Sequence, residues 1–131
     1  MMLRMSILLP AEDPKPAFWL RAVFWLAVSA LTVMSLLPTE RLPDFTASIW
    51  DKAQHAAGFC LLSGLGLWAY PGGRKRTALV LGGLMGLGAA IELAQGATGW
   101  RHADLYDAIA NAVGAAGGWA LVQARKRWWA L

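Results

Sequence analysis

The sequence predicts an all-α integral membrane bundle of four transmembrane helices, with its N- and C-termini on the cytoplasmic side. Three observations carry that expectation. Of the 131 residues, 57% are hydrophobic and only 15% charged, whereas a soluble domain carries about a quarter of charged residues. The 12 Lys and Arg and the 8 Asp and Glu, net +4, fall in short blocks between apolar runs instead of being spread over a surface. Four of those runs approach the roughly 20 residues that a helix needs to cross about 30 Å of hydrocarbon.

Residues 1–16 hold Arg4, Pro10, Pro14, Lys15 and Pro16 and read as an N-terminal cytoplasmic or interfacial segment, with a short interfacial stretch at 5–9. The first helix is expected at 17–37. Val28-Ser29-Ala30 offers a signal-peptide cleavage site as a rival reading, but the apolar run continues past it to Leu37, as an anchor's would. Pro38 and Pro43 then break the chain. The second helix, 52–70, stops at Pro71-Gly72-Gly73; the third, 77–97, stops at Thr98-Gly99; the fourth, 105–124, leads into a basic cytoplasmic tail, 125–131. Short connections make sequential neighbours antiparallel. Residues 17–124 thus form one membrane domain with no room for a second. Cys60, the only cysteine, cannot pair within the chain and reads as a packing residue.

Orientation follows from the cations. With a cytoplasmic N-terminus, Arg4, Lys15, Arg21, Arg74, Lys75, Arg76, Arg125, Lys126 and Arg127 all lie inside, as the positive-inside rule favours. Trp50 and Trp100 then mark the outer interface, and Tyr70, Trp128 and Trp129 the inner one. The basic triplets serve as topology anchors touching anionic lipid rather than nucleic acid.

Most acids fall on the outer side: Glu40, Asp44, Asp51, Glu92, Asp104 and Asp107. Asp51 and His55 share a helix face, as do Glu92 and Gln95, and Asp104, Asp107 and Asn111 follow at spacings of three and four. At a rise of about 1.5 Å per residue, Glu92 stands roughly 22 Å above Thr77, Asn111 about 9 Å and His55 about 5 Å below the outer edge. These side chains lie close enough in depth to meet. Gly58, Gly82, Gly86, Gly88, Gly114 and Gly118 extend the same faces, and small residues let helices approach closely in lipid. A carboxylate facing acyl chains costs roughly 2.5–3.5 kcal/mol on insertion scales, which turns Glu92 inward.

In order and spacing, Asp51-Lys52-x-x-His55-x-x-x-Phe59, Glu92-x-x-Gln95 and Arg101-x-x-Asp104-x-x-Asp107-x-x-x-Asn111-x-x-Gly114-x-x-x-Gly118 resemble the VanZ-like family of small bacterial membrane proteins. The resemblance spans about residues 45–120 and implies a multi-pass protein of the bacterial cytoplasmic (inner) membrane, working in the cell envelope. The family is named for a teicoplanin-resistance protein, but nothing in this sequence indicates a glycopeptide site.

Three uses of the layer remain open. As an active site, His55 with Glu92 or Asp107 acts as general base and acid, while Arg101 and Lys52 hold an anionic headgroup and Asn111 orients a carbonyl or hydroxyl. As a binding site, the same residues, lined by Asp51, Gln95 and Asp104, capture a membrane lipid, a lipid-linked envelope precursor or another amphiphilic ligand. As a packing network, Asp51 or Asp107 pairs with Arg101 and His55 with Glu92, so that the protein is a non-catalytic accessory or structural membrane component. Whether it is an enzyme is open, and a homo-oligomer is compatible with the short chain. No cofactor and no metal are expected: one histidine among scattered acids is a weak metal signal, and the glycines of 82–88 lack the Gly-Lys-Ser or Gly-Lys-Thr ending of a phosphate loop.

Overall fold

The computed structural model describes residues 18–38 and 48–130, and among them the chain forms four α-helices and no strand. These are α1 (Phe18–Leu36), α2 (Ser48–Ala69), α3 (Arg74–Thr98) and α4 (Leu105–Trp128). The segment 1–16, Glu40, Asp44, Pro43 and the side chain of Trp50 lie outside the described residues.

Helix α1 falls within its expected limits, whereas the other three outrun theirs at one end or both. Helix α2 starts at Ser48 rather than 52, α3 at Arg74 rather than 77, and α4 ends at Trp128 rather than 124. Hydropathy marks where hydrocarbon-compatible side chains stop, but hydrogen bonding of the backbone continues into the flanking polar residues. The tail expected at 125–131 is therefore helical through Trp128, with Arg125, Lys126 and Arg127 in the last turn, where cations complement the helix dipole. At the other end of α4, Asp104 is the N-cap: its Oδ1 accepts the Tyr106 N–H at 2.8 Å. Gly99 closes α3 in the left-handed region at φ 80°, which a glycine adopts without strain.

The helices alternate up and down. Arg21 Nε donates to the Ala69 carbonyl at 3.3 Å, joining the start of α1 to the end of α2. At the opposite end Gln95 Nε2 donates to Ser35 O at 2.9 Å and Trp100 Nε1 to Leu36 O at 3.1 Å, so α1 runs parallel to α3. Helices α2 and α4 are likewise parallel and form the closest pair. A Cβ at Gly114 would run into the backbone carbonyl of Ala56, and one at Gly118 into that of Cys60. The two main chains thus touch where only glycine fits, and Ser63 Oγ donates to Ala115 O at 2.8 Å beside that contact. Helix α1 packs on α2 and α3 and makes no contact with α4.

The core comprises Phe59, Leu62, Leu84, Ile91 and Ala115, with Leu31, Val80 and Leu87 against it. Much apolar surface lies outside it. Phe24 is the one fully buried residue of α1, while Trp19, Leu26, Val33 and Met34 on that helix are exposed, as are Leu79 and Leu93 on α3. Helices α1 and α3 are long and apolar enough to cross a membrane. Helices α2 and α4 have the length but carry the polar and small residues, which lowers their hydropathy.

Candidate functional site

Parallel packing of α2 and α4 sets the site. Because α2 begins with Asp51, Lys52 and His55 while α4 begins with Asp107 and Asn111, a parallel register with main-chain contact stacks these side chains at one end of the pair. Lys52 Nζ lies 2.6 Å from Asp107 Oδ1 and 2.7 Å from Asp104 Oδ2, bridging both carboxylates. One turn deeper, His55 Nδ1 is 3.0 Å from Asn111 Oδ1. An amide oxygen only accepts, so this contact is a hydrogen bond in the forms of the ring that carry a proton on Nδ1; in the neutral one Nε2 then presents a lone pair. That Nε2 faces Asp107 Oδ2 at 3.7 Å, beyond hydrogen-bonding distance.

Accessibility falls steadily along this line. Side-chain exposure is 39% at Asp104, 33% at Lys52 and 7% at Asp107, and Asn111 is 1% exposed. Phe59, one turn below His55 and fully buried, forms the floor. Gly88 of α3 lets that floor close, since a Cβ there would press against Asn111 Nδ2 and the Phe59 ring.

The electrostatics at the mouth are local. The Lys52 ammonium beside Asp104, and then the Tyr106 N–H, hold the Asp104 carboxyl below the usual carboxylate range.

Glu92 approaches the site from α3, where it is buried, and its Oε2 accepts the backbone N–H of Asp104 at 3.0 Å. Its Oε1 has no partner, nor do Gln95 Oε1 and Asn111 Nδ2, although all three atoms are buried. Buried polar atoms are nearly always hydrogen-bonded, so three orphans within one layer set it apart from a completed network.

Of the residues predicted for the site, the structure brings Asp51, Lys52, His55, Asp104, Asp107 and Asn111 together, with Glu92 bonded to the edge of the group. Gln95 turns away to tie α3 to the end of α1. Arg101 makes its observed hydrogen bond through the backbone, its N–H donating to Thr98 Oγ1 at 3.3 Å, and takes part in no ion pair among the described residues. The pairs Asp107 with Arg101 and His55 with Glu92, expected of a packing network, are replaced by Asp107 with Lys52 and His55 with Asn111. Arg101 lies in the turn before α4, whereas Lys52 projects from the helix packed directly on Asp107. Sequence reasoning missed Ser63, a buried hydroxyl eight residues beyond His55 whose one signal was its place on an otherwise apolar stretch.

Asp51, His55 and Asp107 each present one potential ligand atom, and these atoms lie within 4.8 Å of one another. At the other end of the same helix pair lies an apolar crevice of about 530 Å³ floored by Ala57, Cys60, Gly64 and Gly118, with Arg125 stacked on Trp68 at 5.1 Å at its edge. The polar site lies outside that crevice, as a layer of side chains graded from exposed to buried. Compared with known proteins, the chain matches no family model, no curated protein and no solved structure.

Proposed function

We propose that the chain is a VanZ-like membrane protein of the bacterial inner membrane that crosses it four times with both ends cytoplasmic. Its recess beneath the outer rim binds, or acts on, the anionic headgroup of a lipid-linked or amphiphilic envelope component. Four spans are supported by the exposed apolar face of α1, which a watery surface would not tolerate, and by helix lengths of 19 to 25 residues. The orientation is supported by Arg74, Lys75 and Arg76 at the start of α3. Cations oppose the dipole at a helix N-terminus, so helix stability does not account for the triplet, whereas retention on the cytoplasmic side does.

The observation that carries the binding reading is the polar layer itself: exposure falls from Asp104 to Asn111, and Glu92 and Asn111 hold buried atoms without partners. Lys52 is already held by two carboxylates, which leaves Arg101 as the cation available to a phosphate or carboxylate headgroup. The bonds from Lys52 also favour the rival reading, a network that sets helix register. A purely structural network has little use for a buried carboxylate oxygen and a buried amide left without partners.

Native mass spectrometry of the protein released from mild detergent tests the proposal. Retention of an anionic lipid or lipid-linked species, reduced several-fold by Arg101→Ala with an unchanged melting temperature, is the expected result. Equal retention by Arg101→Ala and the unaltered chain overturns it.

A further inference from the structure

We infer that Asp51, His55 and Asp107 form a three-ligand site for a divalent first-row cation such as Zn²⁺ or Mn²⁺, with its remaining coordination position open toward the mouth of the recess. The inference rests on reading the layer as a binding site and assigns that site a resident ion.

Two independent features point to a cation. The first is the placement of the two His55 ring nitrogens. Its side chain is 9% exposed, and with Nδ1 donating to Asn111, the Nε2 lone pair is aimed at a carboxylate oxygen 3.7 Å away. In the neutral form of the ring the two electron-rich atoms face each other, and a cation between them makes the approach favourable. At 3.7 Å the separation is long for an N–H···O hydrogen bond and close to that of two donors bound to one ion at about 2.0–2.2 Å each. Metal-ligating histidines characteristically donate their other N–H to an oxygen that fixes the ring, and Asn111 does this here.

The second feature is charge. Asp51, Asp104 and Asp107 against the one ammonium of Lys52 leave the cluster with a formal excess of two negative charges, which one divalent ion neutralises. Lys52 occupies Asp107 Oδ1 and leaves Oδ2 toward the histidine, so the lysine orients that carboxylate without filling the gap. Asp51, one turn from His55 on α2 and partly exposed, completes the set from the solvent side. Two ligand atoms on one tetrahedral ion at these bond lengths stand about 3.4 Å apart, so closing the 4.8 Å spread needs the partly exposed Asp51 side chain to move in by roughly 1.4 Å.

One imidazole with two carboxylates suits Zn²⁺ and Mn²⁺ and disfavours soft Cu⁺. Three protein ligands and one open position match the pattern of zinc sites that engage a water or a substrate oxygen. A phosphate entering past Arg101 would meet that position.

The test uses the full chain in detergent, stripped with a chelator and titrated with Co²⁺ followed by Zn²⁺. The expected result is one Co²⁺ per chain, with visible d–d absorption that Zn²⁺ abolishes. Asp51→Asn and His55→Gln should each weaken uptake by about tenfold or more, and His102→Ala should leave it unchanged. Asp51→Asn keeps the Lys52 and Asn111 hydrogen bonds and so reports on the ion without disturbing the fold. Failure of the unaltered chain to bind Co²⁺, equal uptake by Asp51→Asn, or loss of uptake in His102→Ala overturns the inference. Lipid retention without Co²⁺ uptake removes the ion alone; Co²⁺ uptake without lipid retention removes the headgroup reading and leaves the ion.

Discussion

Lys52 of α2 places its ammonium 2.6 Å from the nearly buried Asp107 carboxylate of α4, closing the parallel pair at its polar end. A buried charge that loses its partner destabilises more than the intact pair stabilises. Lys52→Met should therefore lower the melting temperature in detergent, and adding Asp107→Asn should recover part of the loss. A double variant no more stable than Lys52→Met would show that the two residues are not energetically coupled.

Asp104 gives the fold an acid limit. Lys52, and after it the Tyr106 N–H, hold its carboxyl in the folded state below the usual carboxylate range. A depressed carboxyl stabilises the fold fully above its unfolded value, and that contribution is lost as pH falls through the folded value. The melting temperature should accordingly lose this contribution only below about pH 4. Asp104→Asn should flatten the acid limb of that profile, and an unchanged limb would place its origin in other carboxyls.

Main-chain contact makes Gly114 intolerant of any side chain. Its added methyl would collide with the Ala56 carbonyl, which cannot rotate away, so Gly114→Ala should cost about 1–3 kcal/mol or prevent folding. Gly82→Ala, with open space around its Cβ, should be neutral or stabilise by up to about 1 kcal/mol through helix propensity. Chemical unfolding of the two variants in mixed micelles gives the comparison.

Ser63 makes an interhelical bond to a carbonyl that also belongs to helix α4. Its removal leaves no orphan acceptor, so Ser63→Ala should cost only about 0.6–1.7 kcal/mol, the range for such bonds within membranes. A loss several times larger would mean that the hydroxyl holds more than the Ala115 carbonyl.

The topology has its own check. In a Cys60→Ala background, Lys75→Cys should react with an impermeant thiol reagent only from the cytoplasmic face, and His102→Cys only from the outer face. Labelling of both from one side would rule out a crossing by α3.

The helix number and the common level of the polar residues were legible because both follow from counting along the chain. Apolar runs gave the four segments, and the rise per residue put Glu92, Asn111 and His55 at compatible heights. The pairing was not legible. Which cation meets Asp107 depends on rotation about the helix axes, and that rotation is set by the contact of Gly114 with Ala56 and Gly118 with Cys60. Spacing of glycines indicates a close approach but not which neighbour makes it. Gln95 illustrates the limit: it shares a helix face with Glu92, yet it reaches the end of α1 while Glu92 reaches the turn before α4. The orphaned oxygen of Glu92 was equally hidden, because a sequence shows which groups are polar but not which ones lack a partner.

With their peptide planes in direct contact, α2 and α4 behave as a single strut that cannot slide or splay without breaking its own spine. The polar side chains they carry at one end are thereby held in register, while α1, tied to α2 and α3 by Arg21, Gln95 and Trp100 and apart from α4, stands outside that spine.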